Sequence, residues 1–130
     1  MCGICGIAGA ADRARLEAMS ATLVQRGPDS AGEYVDGPVA LGSQRLSIID
    51  LEGGDQPIFN EDESIVVGQN GEIYNHPELM RELRRDGHAY RTRSDTETLV
   101  HLYERDGLDF ARHLRGMFAI ALWDARRRRL

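Results

Sequence analysis

The first nine residues, Met1-Cys2-Gly3-Ile4-Cys5-Gly6-Ile7-Ala8-Gly9, form an apolar run laced with glycine that predicts a buried strand. From Ala11 to Gln25, Leu16, Met19, Leu23 and Val24 recur at helical spacing and predict one amphipathic helix lying on that strand, its stripe wholly core. Arg26-Gly27-Pro28-Asp29-Ser30-Ala31-Gly32 breaks the pattern with two glycines and a proline and reads as a structured loop, in which Arg26 and Asp29 can pair. Short strands are expected around Gly32–Val35 and Val39–Gln44. Leu46-Ser47-Ile48-Ile49-Asp50-Leu51 follows and is too apolar for a solvated loop, and a turn-rich segment then leads into Ile58-Phe59.

Ser64-Ile65-Val66-Val67-Gly68-Gln69 predicts a β-branched strand that stops at Asn70-Gly71, a pair suited to a tight turn. Asn75 or His76, with Pro77 behind, opens a helix that runs to Asp86 and stops at Gly87. Ser94-Asp95-Thr96-Glu97 has the capping-box pattern and opens another, with Leu99, Val100, Leu102 and Tyr103 inside and Gly107 as its stop. A shorter helix is expected over Leu108–Leu114. Met117 to Trp123 is continuously apolar and predicts a strand buried on both faces. Asp124-Ala125 and the arginines Arg126 to Arg129 then read as a hairpin turn entering a partner strand, as though the domain were truncated there. The arginine run is a solvated edge rather than a nucleic-acid tail. No repeat or low-complexity linker divides the chain, so sheets and helices are layered in one α+β domain.

Composition narrows the chemistry. The 130 residues suit a single domain, and no apolar run reaches the eighteen or so residues of a membrane span. A basic, apolar leader is missing, which makes the cytoplasm the default location. A net charge of -5 with mixed acids and bases offers no face for nucleic acid. All 16 basic residues are arginine, which excludes a Schiff-base lysine, lysine-bound pyridoxal phosphate and a phosphate-loop lysine.

Cys2 and Cys5 form a C-x-x-C, but a structural zinc site needs four ligands and His76, His88, His101 and His113 lack the usual paired spacing, so no metal is expected. Residues three apart on a strand face opposite ways, which leaves Cys5 as a small core residue. Cys2 is different. With Met1 removed it carries both a thiol nucleophile and a free α-amine able to exchange protons near neutral pH. Hydrolysing a primary amide would further need an oxyanion cradle, and the Asn70 side-chain amide and Gly71 N–H can both donate to one oxygen.

Together these motifs resemble the class II glutamine amidotransferases, N-terminal-nucleophile enzymes, and within them the glutaminase domain of asparagine synthetase. The likeness spans essentially all 130 residues. It runs through Cys2-Gly3-Ile4, Arg26-Gly27-Pro28-Asp29, Gln44 to Leu51, Gln56-Pro57, Asn70 to His76, Ser94 to Glu97 and Gly116 to Ala119. The resemblance implies a four-layer αββα sandwich, incomplete at the C-terminus, with Cys2 as nucleophile and Asn70 and Gly71 as oxyanion hole. It gives the substrate carboxylate to Arg45, backbone contacts to Leu46, Ser47, Ile48 and Ile49, and the substrate ammonium to Glu72 and Asp95. Arg26 and Asp29 would lie near the nucleophile, there either to touch substrate or to order the loop.

The implied reaction takes L-glutamine to glutamate and passes ammonia to a synthetase domain or subunit. That partner would amidate aspartate with ATP and magnesium, while this chain itself needs no cofactor. A sister amidotransferase serving a natural-product or β-lactam-type synthetase shares these motifs, as would a non-catalytic fragment that keeps the pocket. The resemblance leaves room for a homodimer.

Overall fold

Two antiparallel three-stranded sheets stack face to face in the computed structural model, which describes residues 2–130. The first has the order β1-β3-β2, from Gly3–Ala8, Val39–Arg45 and Ser30–Asp36; the second has β4-β5-β6, from Ile58–Phe59, Ile65–Ile73 and Gly116–Asp124. Helix α1 (Arg13–Ala21) covers the first sheet, and α2 (His76–Arg85) with α3 (Asp95–Asp106) covers the second. The layers are therefore helix, sheet, sheet, helix, as the resemblance implied.

Alternation along the strands builds the two interfaces. Val39 and Leu41 of β3 meet Val66 of β5 and Trp123 of β6 between the sheets, and the Trp123 indole donates a 3.0 Å hydrogen bond to Asp36 across the gap. Ile65, Val67 and Ile73 face the other way, onto Leu79, Leu83, Leu99 and Leu102 of the helices. Ile4 lies toward Gly68 of the second sheet, whereas Cys5 sits beside Gly42 and Leu16 under α1. The two thiols thus belong to different faces, and both are unbridged. Cys5 is only half-buried, yet burial is the main cause that pushes its thiol upward in pKa.

Helix ends follow their signals. Asn75 precedes α2, Pro77 lies in its first turn, and Gly87 follows its end at φ 102°. Ser94 caps α3 by accepting the Thr96 N–H, and Gly107 ends it at φ 58°. The capping box itself does not form. Glu97 turns away to accept the Arg91 and Thr92 N–H groups and the Thr92 hydroxyl, while the Ser94 N–H goes to Thr92 Oγ1. Residues Gly107–His113 wind as a 3₁₀ helix.

Four expectations are corrected. Helix α1 ends at Ala21, so Val24 is exposed and Leu23 and Met19 only half-buried; Leu16 and Ser20 form its inner face, and Ser20 accepts from Gln44 of β3. Leu46 to Leu51 is an irregular segment with Ile48 and Leu51 well exposed, held by polar bonds rather than by apolar burial. Asn70-Gly71 is not a turn, because β5 continues through it to Ile73, paired residue by residue with β6. Strand β6 is buried only toward its C-terminal end, and Met117 and Phe118 stand exposed at its start. The hairpin turn after it does form, closed by a bridge between Asp124 and Arg129.

Candidate active site

The central strands β3 and β5 both finish at one cavity of about 110 Å³, against the N-terminus of α3. Cys2, just before β1, stands at its wall with Sγ 3.7 Å from the Leu46 carbonyl oxygen, which accepts from the thiol.

Arg45, the last residue of β3, is 4% exposed and anchors the following segment. One Nη1–H donates to Asp55 at 3.0 Å, and Nη2 donates to the Ile49 carbonyl at 2.9 Å and the Asp50 carbonyl at 2.6 Å. A guanidinium has five N–H donors, so Nε–H and one Nη1–H remain for a ligand. The Ser30 hydroxyl and the Arg45 guanidinium hold the Asp55 carboxyl below the usual carboxylate range. Asp29 completes the frame: its N–H bonds the Arg45 carbonyl and its carboxylate accepts the Ser47 N–H at 2.7 Å. Asp29 thus ties the segment after β3 to the loop before β2, through Ser47 rather than by pairing with Arg26. Gly27 before it is pressed so closely on Gln44 and Arg45 that any Cβ would overlap their backbone.

The opposite wall comes from β5, β6 and α3. Gly71 adopts φ 135°, and a Cβ there would overlap the Met117 carbonyl of β6. Only glycine fits that close approach. Gly71, Glu72 and Met117 line the cavity; Asn70 lies beside them, with Oδ1 buried and unpartnered. Asp95, the first residue of α3, is 5% exposed, and its Oδ2 accepts from Gln69 Nε2 at 3.0 Å and the Ile73 N–H at 2.8 Å. Its other oxygen is then the one available to a ligand. A carboxylate at a helix N-terminus also suits the helix dipole.

Of the residues singled out from sequence, Cys2, Arg45, Leu46, Ile48, Ile49, Gly71, Glu72 and Asp95 share this cavity, while Ser47 and Asn70 adjoin it. Sequence reasoning missed Gly54, Gln56, Ser94, Thr96 and Met117 in its wall. Gln56 ties the walls together: Nε2 donates to Thr96, Oε1 accepts the Gln69 N–H, and its carbonyl accepts the Ser43 hydroxyl. The Gln56-Pro57 and Ser94 to Glu97 motifs contained Gln56, Ser94 and Thr96 but gave no sign that they meet, and Gly54 lay in no motif.

Cys2, just before the first strand of an αββα sandwich, shares its cavity with buried Arg45 and Asp95, and the fold is that of the N-terminal-nucleophile amidotransferases. Residues 1–130 match the family model described as a glutamine amidotransferase domain, and the chain belongs to that family. Within it, the chain is 50% identical to the glutamine-hydrolysing asparagine synthetase of Asparagus officinalis and 48% identical to asparagine synthetase 1 of Arabidopsis thaliana. Each match covers 97% of this chain and 22% of the relative. Asparagine synthetase 2 of Bacillus subtilis is 46% identical over 95% of this chain and 17% of its own length. The chain thus spans about a fifth of these curated relatives.

Among solved structures, it resembles the allosteric regulatory enzyme of purine biosynthesis, with a TM-score of 0.56 and 27% identity over 70% of this chain and 22% of that one. Glutamine phosphoribosylpyrophosphate amidotransferase from B. subtilis, at 24% identity and the same TM-score and coverage, shares the fold. Among the described residues, no helix is long and apolar enough to cross a membrane.

Proposed function

We propose that this chain hydrolyses the side-chain amide of L-glutamine, with Cys2 as nucleophile. The observation that carries the reading is the convergence of the Cys2 thiol, the Arg45 guanidinium and the Asp95 carboxylate on one small cavity. A free amino acid presents the complementary set: a carboxylate for Arg45, an ammonium for Asp95 and Glu72, and an amide for the thiol.

In this mechanism the Cys2 α-amine takes the thiol proton as sulfur adds to the amide carbon. Asn70 Nδ2 and the Gly71 N–H donate to the resulting oxyanion. The amine returns its proton to the leaving nitrogen, ammonia departs, and water hydrolyses the thioester to release glutamate and restore the thiol. The Leu46 to Ile49 segment, held by Arg45 and Asp29, contributes backbone contacts to the substrate. The mechanism requires Cys2 to be the N-terminal residue; removal of Met1 concerns a residue outside those described.

In the whole protein the ammonia passes to a cytoplasmic synthetase domain that amidates aspartate with ATP and magnesium. The similarity to glutamine-hydrolysing asparagine synthetases supports that acceptor over another acid. The deciding experiment measures glutamate release from glutamine by the natural-length protein and its Cys2→Ala variant. Loss of release in Cys2→Ala is expected, and equal release overturns the nucleophile assignment. Asparagine formation from aspartate, glutamine and ATP tests the acceptor, and glutamate release without asparagine overturns that part alone.

A further inference from the structure

At the far end of α3 from Asp95, four side chains from three separate segments converge. Glu61 comes from the turn before β5, His88 from the loop after α2, and His101 and Glu104 from one face of α3. One ligand atom from each lies within 4.8 Å of all the others. The His101 Nδ1 is 3.1 Å from Glu104 Oε2 and 3.6 Å from Glu61 Oε2, and the His88 Nδ1 is 3.4 Å from Glu104 Oε2. Ligands about 2.0–2.1 Å from a tetrahedral cation stand about 3.3 Å from one another. Those three spacings bracket that edge, and the full set of ligand atoms spans up to 4.8 Å.

The second oxygens of the two glutamates are held from outside the cluster, as those of metal ligands are. Glu104 Oε1 accepts from Asn60 Nδ2 at 2.7 Å, which leaves Oε2 directed inward. Glu61 Oε1 accepts the Ala89 N–H at 3.1 Å, which leaves Oε2. The His101 Nε2, fully buried and without a hydrogen-bond partner, faces Glu97 Oε1 at 3.6 Å. Glu97 is in turn fixed by the Arg91 and Thr92 N–H groups. The His101 Nδ1 is hydrogen-bonded to Glu104 Oε2 at 3.1 Å, and a cation bound there would take the Nδ1 lone pair in place of that bond, with the ring proton on Nε2 toward Glu97. The Tyr90 ring, 4.6 Å from that of His101, and the His88 ring, 5.0 Å away, limit rotation of the imidazole.

We propose that Glu61, His88, His101 and Glu104 form a binding site for a divalent cation of the zinc class. Two imidazoles and two carboxylates form a borderline donor set that suits zinc or cobalt better than magnesium or calcium, and the two carboxylates balance the cation's charge. Glu61 and Glu104 are partly exposed and give the ion a path in from solvent. The cation fastens the turn before β5 and the loop after α2 onto α3, and so acts on stability rather than on glutamine chemistry. The site stands independently of the catalytic reading.

The test uses natural-length Cys2→Ser protein, so that the thiol cannot supply a ligand, stripped with chelator and titrated with Co²⁺ in the visible and with Zn²⁺ by calorimetry. Expected are one equivalent bound with Kd tighter than about 10 μM, a four-coordinate cobalt band, and a higher unfolding midpoint. Glu61→Gln and His88→Gln, at the accessible side of the cluster, should each weaken binding at least about tenfold. His101→Gln should abolish the band; because that residue is fully buried, the Glu61 and His88 variants decide if it fails to fold. Weaker binding by the parent, or the same band and affinity in Glu61→Gln and His88→Gln, overturns the proposal.

Discussion

The carboxylate of Asp29 accepts the backbone N–H of Ser47 at 2.7 Å, across 18 residues of chain. This bond joins the loop before β2 to the segment after β3, beside the Leu46, Ile48 and Ile49 wall of the cavity. Hydrogen bonds to a charged group contribute about 1.5–3 kcal/mol. Asp29→Ala should therefore raise the KM for glutamine about tenfold or more with a smaller change in kcat, read from steady-state glutamate release. An unchanged KM would show that the segment orders itself without Asp29.

Arg45 has a structural task besides the substrate role proposed for it. Its three internal bonds to Asp55 and to the carbonyls of Ile49 and Asp50 need a planar fork that lysine lacks. In Arg45→Lys the KM should rise and thermolysin should cut faster near Ile48 and Leu51, which are already exposed. Faster cutting with normal KM would separate the anchor from the clamp.

Two glycines three residues apart on β5 should behave in opposite ways. Gly71→Ala forces a Cβ into the Met117 carbonyl at φ 135°, and should lower stability by about 3 kcal/mol or prevent folding. Gly68→Ala meets only Ile4 Cγ2 at 3.7 Å, an ordinary contact, and should change stability by less than about 1 kcal/mol. Urea denaturation midpoints distinguish the two.

Acid should loosen the end of β6. Burial pushes the Asp124 carboxyl up, but the Arg127 N–H, the Arg127 guanidinium and the Tyr103 hydroxyl together hold it below its ordinary 3.8. A carboxyl lowered on folding adds stability that is complete above about pH 5 and lost as pH falls through the folded value. Asp124→Asn should flatten the dependence of the unfolding midpoint between about pH 5 and 2, and an unaltered slope would exclude this group as a source.

Local signals were read well where a single turn decides the outcome. Pro77 and Gly87 bound α2, and Ser94 and Gly107 bound α3, because caps and positive φ act within a few residues. They misled where a distant strand decides. Asn70-Gly71 has the preferences of a hairpin, yet pairing with Ala119 and Phe118 of β6 carries the strand through it. The apolar content of Leu46 to Leu51 suggested burial, whereas buried Arg45 and distant Asp29 hold its backbone. The grouping of Cys2, Arg45 and Asp95 was available only through family resemblance. The joining of His88 to His101 was not legible at all, since thirteen residues and a change of element separate them.

The cavity also divides by the rate at which its backbone exchanges hydrogen with solvent. Arg45 ends β3, which is bonded on both sides, Gly71 lies within β5 in its pairing with β6, and Asp95 opens a helix buried through its first nine residues. Amides there open only with much of the domain, on the slowest timescale the protein has. Ser47 to Gly53 hang from a few side-chain bonds and can open without disturbing either sheet. A molecule in the cavity would thus rest against a wall that exchanges over hours or longer, beneath a cover that opens far more often.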